Sequence, residues 1–412
     1  MKNFIAHTEK TRNEMLSSID CNTVEDLFKQ VPVKFNDFDM GNPLSEMETQ
    51  KKVKALARKN KTDYANFLGG GVYNKFIPAG VDYIAKRMEF LTAYTPYQPE
   101  ISQGTLQVIY EYQTIISRIT GMDIANASMY DGGSACAEAV LMAHRITKGK
   151  KNKCLISNNL NPEYKEVIKT YCWAQDIEIV WFDNVPEVTD EYFCTMIQYP
   201  NYFGEIEELK KTDNIYIVCA NLSALSVLKP PSMADIVVGD IQPLGIPMNF
   251  GGPHAGFMAC KEAYMRQMPG RLVGATLDAD GQKAYTLTIQ TREQHIKREK
   301  ATSNICSNQS LIALCATVYI SLVGEKGFKE TGILSAQNAH ILSEKLDAKG
   351  IKTINKNFFN EFVIEVQDSD LYLAKLKSAN ILGGIKIDNN KILVCTTEMN
   401  SEDEINDYVN SI

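Results

Sequence analysis

The sequence predicts an α/β protein with a large domain on a mostly parallel sheet, a smaller C-terminal α/β lobe and a helical N-terminal region. Three observations predict it. Between residues 134 and 260, short apolar and β-branched runs alternate with helical stretches. This is the pattern of parallel strands joined by right-handed crossovers and covered by helices on both faces. Hydrophobic content of 44% and charged content of 23% over 412 residues suit a folded chain with more than one domain. After residue 308 a second, shorter set of helices and strands begins.

The N-terminal region, residues 1–71, reads as mainly helical. Thr23 with Asp26 marks a helix start, and 46–60 is a polar-faced helix ending in lysines and arginine, which suit the negative end of its dipole. Phe67-Leu68-Gly69-Gly70-Gly71 follows, a turn where bare backbone can approach another group or simply flex. In the large domain, 72–307, strands are expected at 154–157, 177–182, 194–199, 215–220, 235–239 and 256–260, and helices at 135–147, 162–173 and 205–211. The small domain, 308–412, has helices at 308–323, 335–349, 371–379 and 402–409, the second stopped by Gly350. Its strands are expected at 362–366 and 392–395.

A net charge of −7 argues against broad nucleic-acid binding, which requires phosphates to be neutralised. The ten cysteines include no Cys-x-x-Cys pair, and several sit in apolar patterns where a free thiol acts as a small hydrophobe. That fits a reducing compartment. The start, MKNFIAHTEK, has no apolar signal core, and the apolar run 311–323 is too short to span a bilayer. A cytoplasmic protein with no membrane association is expected. No zinc spacing, Walker loop, Gly-x-Ser-x-Gly elbow or Rossmann fingerprint occurs, so no metal is expected.

Residues 234–256, ADIVVGDIQPLGIPMNFGGPHAG, carry the most chemistry. A buried apolar strand runs into a polar turn and then a Gly-Pro-His-Ala-Gly loop containing His254. In pyridoxal-phosphate enzymes of the aminotransferase type, that turn presents the lysine that forms an imine with the cofactor. No lysine lies between Asp235 and Cys260. A chain that keeps the frame without the nucleophile serves a catalytic site built elsewhere. The rival is an independent enzyme using Lys229 or Lys261, neither of which has that turn context.

Ligands on such sheets bind beyond the carboxyl ends of the strands, and three further segments belong there. Asp131-Gly132-Gly133-Ser134 precedes a helix, where free amides make an anion site, or where Ser134 merely caps. The segment YTPYQPEISQG, 94–104, holds Tyr94, Tyr97, Gln98, Glu100 and Gln103 on a loop stiffened by two prolines. It suits orientation of a small zwitterion; a structural corner is the plainer alternative. Segment 291–305 mixes charges of both signs, including Arg292, His295 and Arg298. An arginine there could clamp a carboxylate or phosphate, and a solvated helix face has comparable weight.

Several long stretches resemble the glycine cleavage system P-protein family, specifically subunit 1 of its two-chain bacterial form. They include FIAHTEKTRNEML, FLGGGVYNKFIPAGVDYI, YTPYQPEISQG, MIQYPNYFGEIEEL, GIPMNFGGPHAGF and QTREQHIKREKATSNICSNQSL, and the resemblance covers roughly residues 1–320. It implies an aminotransferase-like fold of pyridoxal-phosphate fold type I and a partner, subunit 2, that carries the cofactor. Placing Pro247 on the proline after the family's lysine puts Gln242 at the lysine position. The acid expected after strand 215–220, to bond the pyridine nitrogen, is also missing, with Asn221 the closest polar residue. No cofactor is therefore expected covalently on this chain, and Gly132, Gly133, Ser134, Asn221, Gln242 and His254 form a vestigial site. The resemblance further implies glycine as substrate, a lipoylated H-protein that receives the aminomethyl group, and an α2β2 heterotetramer. In it, Tyr97 and Glu100 lead the candidates for completing the partner's pocket, with Tyr94, Gln98, Gln103, Arg292 and His295 beside them. A purely stabilising or H-protein-docking subunit is the alternative.

Overall fold

A computed structural model of the protein describes residues 7–32, 39 and 41–412. The chain divides into two units, Met1–Thr62 and Asp63–Ile412. Among its described residues, the first contains helices α1 (Glu9–Ser17) and α2 (Glu46–Ala57) and a 3-10 turn, Val24–Phe28. Thr23 and Asp26 cap that turn reciprocally, and Ser45 with Glu48 does the same for α2, which stops short of the expected residue 60.

The second unit opens with β1 (Ala65–Asn66), which pairs in parallel with a strand of the small lobe. Phe67 packs in that lobe's core. The division at Thr62 therefore precedes the boundary read at Gly71. Helices α3 (Ala79–Ala85), α4 (Met88–Leu91) and α5 (Gln103–Thr120) follow, then β2 (Ile124–Ala125) and α6 (Gly132–Ile146). Strand β3 (Lys153–Ser157), helix α7 (Pro162–Trp173) and strands β4 (Glu178–Phe182), β5 (Tyr192–Tyr199), β6 (Ile215–Ala220), β7 (Ile236–Asp240) and β8 (Gly256–Cys260) complete the main sheet. Its order is β2-β8-β7-β6-β5-β3-β4, parallel from β7 through β4, with β8 and β2 antiparallel at one edge.

Strand β6 shows why the sheet lies at the centre. All six of its residues are buried. Ile215, Ile217 and Cys219 face a core with α6 and α7, while Tyr216, Val218 and Ala220 face one shared with Tyr112 and Tyr319. Burying each large side chain is worth roughly 1.5–3 kcal/mol, and a strand covered on both faces reads as a continuous apolar run. That continuity made it legible.

A hairpin, β9 (Leu272–Leu277) and β10 (Lys283–Thr288), leads to the short helix α8 (Gln294–Lys297). Helix α9 (Ser310–Ala348) then joins the domains. It is long and apolar enough to cross a membrane by length and composition, yet it breaks at Gly324 (φ 64°). Ala313, Ala316 and Tyr319 pack against the main sheet, and Ala339, Leu342 and Leu346 fill the small lobe. Two helices expected at 308–323 and 335–349 are thus halves of one kinked element. The lobe adds β11 (Glu361–Glu365), α10 (Ser369–Ser378), β12 (Ile381–Leu382), β13 (Ile385–Lys386), β14 (Lys391–Cys395) and α11 (Glu402–Asn410). The helix expected at 205–211 does not form. Ile206 N–H donates to Asn357 O (2.8 Å), and the Glu205 carboxylate accepts from Lys356 and Asn357 N–H (3.1 Å each), so tertiary pairing overrides local propensity.

Candidate functional site

At the carboxyl ends of β6 and β7 lies a cavity of about 40 Å³ lined by residues including Tyr73, Asn161, Tyr164, Gln198, Asn221 and Asp240. Gln242 lies between two of the lining residues, Asp240 and Pro243, and turns into the protein beside the cavity. The side chain is fully buried and all of its polar atoms are used. Its carbonyl accepts from Tyr73 N–H (2.9 Å), and its amide donates to Tyr73 O (2.9 Å) and Ile246 O (2.8 Å). The amide thus imitates a strand partner for the 67–73 segment, drawing that segment across the cavity mouth. Glu361 holds it from the small lobe, accepting from Gly70 N–H (2.6 Å) and the Tyr73 hydroxyl (2.8 Å). Burial pushes the Glu361 carboxyl up, and those two donors pull it back down. Lys75, just beyond, commits its amine to Glu398 and to Ser335 Oγ (3.2 Å).

The start of α6 is likewise taken by the chain itself. Asp131 Oδ1 accepts from Ser134 N–H (2.7 Å) and Asp240 Oδ2 from Gly132 N–H (3.2 Å). A Cβ on Gly132 would collide with the Tyr164 hydroxyl. Asp240 also accepts from Gln242 N–H (2.7 Å), and burial raises its carboxyl to about 7. Asn221 donates to the Tyr73 hydroxyl (3.1 Å) and accepts from Ser223 N–H (2.9 Å). Pyridoxal phosphate, the group this fold implies, does not fit here. Pockets for such ligands run to roughly 300–1,000 Å³, the floor offers no amine, and two carboxylates stand where a phosphate would bind.

The second cluster surrounds the 94–104 loop. Tyr94 is 79% exposed and Tyr97 48% exposed, with Gln98 and Glu100 also exposed. Gln103 anchors the loop: its amide donates to Pro99 O (2.7 Å) and Tyr285 O (2.9 Å), and its carbonyl accepts from Tyr285 N–H (2.8 Å). Gln103 is therefore a clamp on β10 rather than a group free to reach out. Arg271, buried at the mouth of β9, donates to the Tyr97 hydroxyl (2.9 Å) and lies 5.4 Å from its ring centroid. That contact is worth about 0.5–2 kcal/mol. His295 meets the Tyr97 ring edge-on at 5.6 Å, and its Nδ1 lies 3.7 Å from Glu293 Oε2.

Arg292 and Glu293 are buried, which corrects the solvated-face reading of 291–305 at these positions. Arg292 donates to Met268 O, and burial lowers its pKa. Its Nε and Nη2, with Arg271 Nε and Glu293 Oε1, lack hydrogen-bond partners among the described residues. Such atoms are costly, about 1–3 kcal/mol each. His254 is half-buried and its Nε2 is also without a partner. The structure therefore brings Tyr97, His295, Arg271 and Glu293 together, and Gln242 makes its own hydrogen bonds to Tyr73 and Ile246. Sequence reasoning missed Tyr73, Tyr164, Asp240, Glu361 and Arg271. Arg271, a lone charge between Gly270 and an apolar strand, carried the one visible signal.

The rival lysines are distant from the cavity. Lys261 follows β8, whose Cys260 pairs with Ile236, so it stands at the opposite end of β7 from Asp240, with its amine on Asp235 Oδ1 (2.9 Å). Five strand residues separate the two ends by about 16 Å. Lys229 precedes Pro230 and Pro231 on the approach to that same end.

The seven-stranded sheet, the pocket at its carboxyl ends and the lobe closed over it define an aminotransferase-like protein of pyridoxal-phosphate fold type I. The chain belongs to the glycine cleavage system P-protein family, whose model matches residues 2–412. It is 45% identical over 444 residues to the probable glycine dehydrogenase (decarboxylating) subunit 1 of Geobacillus thermodenitrificans, covering 99% of this chain and 98% of that one. A solved glycine decarboxylase (P-protein) of the glycine cleavage system, in inhibitor-bound form, superposes with a TM-score of 0.88 at 38% identity, covering 99% of each chain. The fold alone is shared with a C-DES mutant bearing glycine linked to its cofactor (TM-score 0.60, 13% identity, 85% of this chain and 96% of that one). The activity of the family is that of glycine dehydrogenase (decarboxylating).

Proposed function

We propose that this chain is the subunit of a two-chain glycine decarboxylase that does not carry the cofactor. It pairs with a subunit 2 that holds pyridoxal phosphate and completes that subunit's pocket from outside. One observation supports the reading: Gln242, which we take to stand at the family's lysine position, is a fully buried amide whose polar atoms are all committed to Tyr73 and Ile246. The chain's contribution then comes from the 94–104 loop. Tyr97 and Glu100 on it orient glycine and help to exclude water, with Tyr94, Gln98 and His295 at the rim. Pyridoxal phosphate on the partner supplies the electron sink for decarboxylation. A lipoylated H-protein accepts the aminomethyl group, and an α2β2 assembly provides the two shared pockets.

The test is reconstitution with subunit 2 and measurement of glycine-dependent carbon dioxide exchange. Each chain alone is expected to be inactive. The pair carrying both Tyr97→Phe and Glu100→Gln is expected to assemble normally and lose activity by about tenfold or more, in line with removing positioned polar groups. Full activity with both changes would leave the chain only a stabilising role.

A further inference from the structure

Resting on the reading that the 94–104 loop serves the partner's pocket, we infer that Arg271 is a positioning residue that makes Tyr97 a hydrogen-bond donor toward an anionic oxygen. A guanidinium can only donate, whereas a phenol has one proton to give and lone pairs to receive. Arg271 Nη2 donates to the Tyr97 hydroxyl at 2.9 Å, which leaves the phenolic proton to point away from the arginine. Tyr97 as a whole is 48% exposed, so the residue sits at the surface of the protein.

The arginine itself has little freedom. Its side chain is 3% exposed, and Nη1 donates to Ser307 Oγ (2.8 Å) and Asn308 Oδ1 (3.5 Å). Its carbonyl accepts from Ala127 N–H (2.9 Å), and Glu293 Oε2 lies 3.7 Å from Nε. One planar cation therefore ties the loop after β10, the start of β9 and the tyrosine into a fixed arrangement. His295 packs against the same ring edge-on, with the centroids 5.6 Å apart. The matching ligand is a carboxylate or phosphate oxygen, which glycine and the partner's cofactor respectively supply.

A double-mutant cycle in the reconstituted pair tests the inference, using Tyr97→Phe, Arg271→Gln, Arg271→Lys and the two combinations. The readouts are kcat and KM for glycine and the dissociation constant of pyridoxal phosphate. Tyr97→Phe and Arg271→Gln are each expected to reduce kcat/KM about tenfold, with Arg271→Lys recovering part of the loss. In the Tyr97→Phe background the Arg271 changes are expected to cost less than twofold more. A raised KM with unchanged cofactor affinity assigns the oxygen to glycine, and weakened cofactor retention assigns it to the phosphate. If Tyr97→Phe alone has no effect, the loop reading fails and the inference with it. If Tyr97→Phe matters but the Arg271 effect is absent or multiplies independently, the loop reading stands and the inference is overturned. Should Arg271→Gln not assemble, Arg271→Lys carries the same cycle.

Discussion

The pocket around Gln242 and the cluster around Tyr97 face opposite demands. In the first, Gln242, Tyr73, Asn221, Asp131 and Asp240 satisfy one another, and Glu361 fastens the lid from the small lobe. In the second, aromatic side chains stand exposed over buried charges, several of whose polar atoms lack partners among the described residues. The second keeps buried polar atoms without partners among the described residues, which are costly. The difference is one of hydrogen-bond completeness: the polar atoms of Gln242 are all paired, whereas Arg271, Arg292 and Glu293 keep buried atoms without partners among the described residues.

Placing an amine at position 242 is the severest way to break this contrast. Gln242→Lys places an ammonium among Tyr73 and Ile246 carbonyls in a fully buried position, and a loss of about 3–5 kcal/mol in chemical denaturation is expected. The purified variant is also expected to show no dialysis-resistant imine absorbance after incubation with pyridoxal phosphate. A persistent band would mean the pocket is open.

Asp240→Asn gives a smaller effect with a definite sign. The folded carboxyl titrates near 7, above the ordinary value of 3.8. The native state thus keeps a proton that the unfolded chain has lost, and stability falls as pH rises from about 4 to about 7, then levels. Relative to Asp240→Asn, the native protein is expected to lose roughly 2 kcal/mol between pH 5 and pH 8. A difference that is constant across that range would remove Asp240 from the sealed network.

Gln103→Ala addresses the other region. Losing three hydrogen bonds to the loop and β10 is expected to cost about 1–2 kcal/mol and to speed amide exchange across 94–104 without altering exchange at 67–73. Equal changes in both segments would show that the two regions are not independent.

The parallel strands were legible because they are local: apolar runs announce buried strands, just as the absence of any lysine between Asp235 and Cys260 is visible in one stretch. What closes the pocket was not legible. Tyr73 meets Gln242 across 169 residues and Glu361 across 288, and Arg271 meets Tyr97 across 174. No periodicity encodes such pairings. The 205–211 segment misled for the same reason, its helical composition being overruled by the 355–358 strip that pairs with it. Gln103 was legible as a loop residue but not as the clamp, because its partner Tyr285 belongs to a hairpin 182 residues away.

Borohydride reduction of the glycine-active pair, followed by mass measurement of each chain, tests most directly whether chemistry is absent from this subunit's own pocket. The expected result is a reduced pyridoxyl adduct on the partner alone, with this chain at its unmodified mass. An adduct on this chain, at Lys229, Lys261 or any other lysine, would contradict the account.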